Sequence, residues 1–144
     1  MPSFTPDSDC IIAALDPQHP HHHRAWSAIA SRLERGHRMV LVGHKLLEAY
    51  AVLTRLPLPH RVSPLDAWNA IKGTFVSTGT VVGLTPEAYL ALMGTLAEQG
   101  IAGGQVYDTA IAACAWLNGA DSILAFNERH FQRFVGNGLS IEVP

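Results

Sequence analysis

Residues 103–131 read GGQVYDTAIAACAWLNGADSILAFNERHF. A glycine pair precedes Asp108, and Ile111, Cys114, Ala115 and Leu117 recur at helical spacing, which predicts an amphipathic helix with Asp108 in its first turn. Asn118 and Gly119 end that helix. The short apolar run at 122–126 then reads as a buried parallel strand that delivers Asn127 at its carboxyl end, where open parallel sheets form their sites. An acid in a helix's first turn also serves as a cap or as a partner for the helix dipole, so the role of Asp108 depends on what the rest of the chain brings to it.

Toward the N-terminus, residues 4–15, FTPDSDCIIAAL, predict a strand end limited by Pro6, a turn, and a helix. Ser8 and Asp9 fit the N-cap of that helix, whereas Asp7 is less easily explained as a cap. Residues 19–23, HPHHH, have the composition of a metal site, but Pro20 interrupts them and a helical pattern (Ala25, Trp26, Ile29, Ala30, Leu33) follows at once, so they read as a solvated loop. Gly36 closes that helix, 39–42 is a short buried strand, and Gly43 with His44 opens a third helix ending at Pro57, its apolar positions being Leu47, Tyr50, Ala51 and Thr54. Glu48 adjoins this face, an acid where the pattern expects an apolar residue; a snorkelling surface glutamate is the alternative reading. LPLPHRVSP is a short connection to a helix at 65–72, and 80–84 reads as a strand. Thr85 N-caps a helix running to about Gln99, with Pro86 at its first position and Glu87 in its first turn, and a last strand is expected at 139–143. Strands alternating with helices in this way predict a parallel α/β sheet with helices on both faces.

A chain of 144 residues, 48% of them hydrophobic, is expected to form one domain over 1–144 that needs neither a disulfide nor a metal to fold. Cys10 and Cys114 lie in apolar runs and read as small buried hydrophobes in a reducing compartment, which favours the cytoplasm. No apolar run is long enough to span a bilayer, and the N-terminus lacks the basic flank and long apolar region of a signal peptide. A net charge of −2 argues against gripping nucleic acid by overall charge. The charge is unevenly spread, however: eight of the ten basic residues fall between Arg24 and Lys72, and none lies between Gly73 and Glu128.

Asp7 at the end of the first strand, Glu48 on the helix after the second and Asp108 at the start of a late helix share one property. A parallel sheet brings the carboxyl ends of its central strands together, so all three converge there with Asn127. Crowding like charges raises the pKa of at least one of them unless a cation is present. Oxygen donors without histidine or thiolate suit Mg²⁺ or Mn²⁺, which retain waters and bind substrate phosphate, and this points to metal-assisted phosphodiester chemistry.

These residues carry a resemblance to the PIN-domain family, and within it to the VapC-type toxins of bacterial toxin–antitoxin pairs. DSDCIIAAL resembles the family's opening acid motif, EAYAVLTRLP its glutamate helix, and residues 103–131 its closing half, in the family's order and over nearly the whole chain. The resemblance implies a three-layer α/β/α sandwich around a mostly parallel sheet of four or five strands. It also implies a Mg²⁺- or Mn²⁺-dependent ribonuclease that forms a homodimer and binds a small antitoxin protein. By position, Asp7, Glu48 and Asp108 would be the metal ligands, Asn127 would take the fourth catalytic site, and Ser8 would orient Asp7 or a water. Asp9 would add a further charge near the metal or cap its helix. Arg24, Arg32, Arg35, Arg38, Lys45, Arg55 and Arg61 form the pool from which RNA backbone contacts would come. Two positions depart from the family pattern: Ala125 stands where Thr or Ser is usual, and His130 where many members have an acid. An alternative reading, a PIN-fold module that binds RNA or a protein partner with weakened catalysis, rests on these two. Asp7-Ser8-Asp9 is also similar to the paired aspartates of haloacid-dehalogenase-like phosphatases. Ile11 stands where that family has Thr, though, and no lysine follows Lys72.

Overall fold

The computed structural model describes residues 1–132 and 138–144. Along the chain run β1 (Ser3–Pro6), α1 (Ser8–Leu15), α2 (His22–Glu34), β2 (Arg38–Val42), α3 (Gly43–Leu53), α4 (Pro64–Ile71), β3 (Thr80–Val82), α5 (Pro86–Gln99), α6 (Gln105–Leu117), β4 (Ser122–Leu124) and β5 (Ser140–Glu142). A π-helical turn, Lys72–Val76, continues α4, and a 3-10 turn, Glu128–His130, follows β4. The strands form a five-stranded sheet in the order β3-β2-β1-β4-β5, and each neighbouring pair is parallel. The alternation seen in the sequence therefore builds the sheet it predicts, an α/β fold.

Side chains on the two faces of the sheet enter separate cores. Phe4, Met39 and Leu41 pack with Cys10, Ile11, Ala13 and Ala14 of α1, Ala25 and Ile29 of α2 and Ala49 of α3. Val40, Val42 and Ile123 pack with Ile111, Ala112, Cys114 and Ala115 of α6. Alternation along β2 sends Met39 and Leu41 one way and Val40 and Val42 the other, as a strand covered on both faces requires. Both cysteines are buried and free.

Several expected boundaries and faces are corrected. No turn separates β1 from α1, because Asp7 itself occupies the N-cap position; its backbone carbonyl accepts from Cys10 and Ile11 N–H. His22 and His23 belong to α2 rather than to a loop, and His22 Nδ1 lies 2.8 Å from the Ala13 carbonyl. The buried stripe of α3 is Lys45, Ala49 and Leu53, with Leu46 packed against the core, whereas Leu47 is 70% exposed. The helix has two apolar stripes, and the one facing the sheet is set by the register in which β2 hands over to α3. In α6 Ile111, Cys114 and Ala115 are buried as expected, but Leu117, at the end of the helix, is exposed. β4 stops at Leu124, so Asn127 starts the 3-10 turn instead of ending the strand. The capping of α5 is as expected: Thr85 Oγ1 accepts from the Ala88 N–H, with Pro86 at the first position.

Candidate active site

β1 lies between β2 and β4, so the chain leaves its carboxyl end toward one neighbour and returns on the other. Such a reversal opens a crevice above the strand ends. A cavity of about 490 Å³ lies here, lined by Asp7, Ser8 and Asp9 from the start of α1, by His44, Lys45 and Glu48 from α3, by Tyr107, Asp108 and Ile111 from α6, and by Asn127 and His130 after β4. The four residues expected to be catalytic thus come from four separate segments to one cavity.

Asp7 is the most enclosed of the acids, only 6% exposed. Its backbone is clamped by its N–H, which donates to the Leu124 carbonyl at 2.9 Å. Asp108 is the fourth residue of α6 and half-buried; the N-cap position belongs to Gly104, so Asp108 is not the cap of its helix. Asn127 is exposed, with its side-chain amide 3.0 Å from His130 Nε2.

Lys45 changes the electrostatics of the site. It was expected among the residues contacting RNA, but its ammonium is buried 3.0 Å from Asp7 Oδ1 and 3.1 Å from Glu48 Oε2, and donates a hydrogen bond to the latter. The expected crowding of uncompensated acids is therefore corrected for this pair, because the chain supplies its own cation. Burial raises the Asp7 carboxyl above its ordinary 3.8, the Lys45 charge opposing the shift and Asp9 adding to it. Burial alone would also raise Glu48, but hydrogen bonding and charge from Lys45, with the Ser8 hydroxyl, bring it below its ordinary 4.5. Burial works against the charge on Lys45; Asp7 and Glu48 outweigh it and lift the ammonium above 10.5.

Ser8 and Asp9 also act otherwise than expected. Ser8 Oγ donates to Glu48 Oε1 at 3.0 Å, so it orients Glu48 rather than Asp7. Asp9 does not cap α1: its Oδ2 accepts from the backbone N–H groups of Phe126 and Asn127 at 3.1 and 3.4 Å, fastening the segment after β4 to the start of α1. Ala125, at the departure from the family pattern, is fully buried in the core beside α6.

The arginines of the expected pool are spread widely. Arg24 does not line the cavity; its guanidinium lies 5.3 Å from the centre of the Phe126 ring and donates to the Pro144 carbonyl. Arg32 pairs with Glu142 and donates to the Ala28 carbonyl, and Arg35 donates to the Ser31 carbonyl. Arg38 begins β2 at the amino end of the sheet, away from the cavity, and donates to the Asn118 carbonyl. Arg55 and Arg61 follow the far end of α3 from Lys45, Arg61 bonding the Leu56 carbonyl. His44, read in the sequence only as part of a helix start, and Tyr107, beside Asp108 in the first turn of α6, also line the cavity.

The donor set is chemically suited to a hard divalent cation, since every candidate ligand offers oxygen. Among the described residues two buried carboxylate oxygens, Asp7 Oδ1 and Asp9 Oδ1, have no hydrogen-bond partner of ordinary geometry, and the Lys45 ammonium meets the first at 3.0 Å. Among the described residues no three His, Cys, Asp or Glu side chains are grouped closely enough to hold a metal ion by themselves, and the positive charge between Asp7 and Glu48 is that of Lys45. The residues fit the group in chemistry, with a lysine in its neighbourhood.

No protein-family model matches the chain. Among curated proteins it is similar to ribonuclease VapC40 of Mycobacterium tuberculosis, 32% identical over 117 residues that make up 81% of each chain. Among solved structures it is similar to M. tuberculosis VapC20, a toxin that cleaves the sarcin–ricin loop, with a TM-score of 0.67 at 17% identity over 88% of this chain and 92% of that one. It is also similar to VapBC2 from Rickettsia felis bound to a DNA fragment from its promoter, with a TM-score of 0.64 at 14% identity over 99% and 98% of the two chains.

Proposed function

This chain belongs to the VapC family of toxin ribonucleases, and from that premise we propose that it hydrolyses RNA phosphodiester bonds with Mg²⁺ or Mn²⁺ held by Asp7, Glu48 and Asp108. The observation that carries this reading is the convergence of these three acids and Asn127 on one cavity from four segments of the chain. When bound, the metal supplies a water activated for attack and offsets the negative charge of the phosphate. Asp7 is the anchor, fixed through its backbone to β4, and Ser8 holds Glu48 in orientation. Asp108 and Asn127 line the same cavity from α6 and from the segment after β4, and Asp9 fastens the Asn127 backbone.

We propose as its partner an antitoxin that places a basic segment against the acids, and a homodimer as the active form; the R. felis VapBC2 neighbour supports only that an antitoxin partner exists. Expression of the chain alone should arrest growth, and co-expression of its antitoxin should restore it. Purified protein should cleave total RNA with Mg²⁺ or Mn²⁺ and not with chelator, and Asp7→Asn should lower the rate on the order of a hundredfold or more. Cleavage that persists in chelator, or in Asp7→Asn, would exclude metal-dependent hydrolysis at this site.

A further inference from the structure

The buried ammonium of Lys45 stands between the two acids that the proposed function assigns to the metal. Its side chain is 9% exposed, Asp7's is 6%, and the nitrogen lies 3.0 and 3.1 Å from the two carboxylates. Removing a charge from water is unfavourable unless opposite charge meets it, so this placement is held by Asp7 and Glu48 and not by packing of the chain alone. Lys45 sits three residues before Glu48 on α3, which fixes the pair on one face of the helix. Ser8 holds the other oxygen of Glu48, so that this carboxylate is shared between a hydroxyl and an ammonium.

We infer that Lys45 is a built-in competitor of the divalent cation: it neutralises Asp7 and Glu48 in the metal-free protein, must leave them for the metal to bind, and thereby sets the metal affinity of the site. The inference rests on the reading that Asp7 and Glu48 are metal ligands. It follows from charge: a dication that takes up a carboxylate already paired to an ammonium must break that pair or be repelled by it. Lys45 is thus a positioning residue, acting through the two acids. In the metal-free state it bridges them, and in the metal-bound state its freed ammonium remains on the wall of the same cavity.

The test is calorimetric titration of the full chain with Mn²⁺, comparing wild type, Lys45→Met and Arg55→Gln. Arg55 is exposed beyond the far end of α3 and serves as a control for the general loss of one positive charge. Lys45→Met should bind Mn²⁺ about tenfold more tightly or better, and Arg55→Gln should stay within about threefold of wild type. Equal affinity of Lys45→Met and wild type, or equal tightening in both variants, would overturn the inference while leaving the metal site standing. Failure of all three proteins to bind Mn²⁺ would overturn the metal reading and the inference together. Should Lys45→Met not fold, the wild type decides alone: the Lys45 ammonium resonance in ¹⁵N-lysine-labelled protein should shift on saturation with Mg²⁺, and an unshifted resonance would refute displacement.

Discussion

Glu48 is held from two sides, by the Ser8 hydroxyl on Oε1 and the Lys45 ammonium on Oε2. These two contacts differ in what they do. A hydroxyl donor orients a carboxylate without competing for its charge, and a net contribution of about 1 kcal/mol is typical of such a bond. Ser8→Ala should therefore lower the melting temperature by roughly 3 °C and, by loosening Glu48, lower RNA cleavage roughly fivefold, as measured by thermal melts and single-turnover kinetics on the folded variant. Lys45 contributes through charge, and its pH signature follows from the direction of its shift. Its ammonium is raised above 10.5 in the folded protein, so its stabilisation is complete below pH 10.5 and is lost as pH rises through the folded-state value. Melts of the metal-free protein should accordingly fall more steeply above pH 10.5 in wild type than in Lys45→Met; parallel profiles would mean that the pair does not stabilise the fold. Cys10 has no part in the chemistry: burial first, and then the neighbouring Asp9 charge, hold its thiol well above 9.0, so it stays protonated.

At the scale of elements, the site depends on how α1 and the end of β4 are joined. Asp9 ties them through the N–H groups of Phe126 and Asn127, across 117 and 118 residues of sequence. Asp9→Ala should cost about 2 kcal/mol and lower the melting temperature by roughly 6 °C, because two backbone donors lose a charged acceptor. It should also reduce cleavage, since Asn127 is released with its backbone, and assay of the still-folded variant at 20 °C separates the two effects. α5 offers a contrasting case far from the chemistry. It ends at Gly100 with φ +68°, where the Gly100 and Ile101 N–H groups bond the Ala97 and Leu96 carbonyls. Gly100→Ala should destabilise by about 1 kcal/mol, as expected for a side chain forced into the left-handed region, and leave the cleavage rate per folded molecule unchanged.

For the molecule as a whole, the cavity couples metal binding to stability. A ligand that binds only the folded state at a hundred times its Kd adds about 2.7 kcal/mol, which for a chain of this size raises the melting temperature by roughly 8 °C. Mn²⁺ should give such a rise in wild type, chelator should abolish it, and Asp108→Asn should diminish it. An unchanged response in Asp108→Asn would place Asp108 outside the ligand set. The sequence by itself determined the alternation of strands and helices, and hence the parallel sheet and the convergence of Asp7, Glu48, Asp108 and Asn127 at its carboxyl end. Periodicity and strand direction are properties of short stretches, and a parallel sheet translates them directly into position. The partners of the polar side chains around those acids were decided only by the tertiary structure. Ser8 reaches Glu48 across 40 residues, Asp9 reaches Phe126 across 117, and Lys45 is buried because β2 hands over to α3 in a register that turns it toward Asp7. The Lys45–Glu48 spacing of three was visible on the helix, but burial of that pair depends on what packs against it, and local spacing carries no information about that.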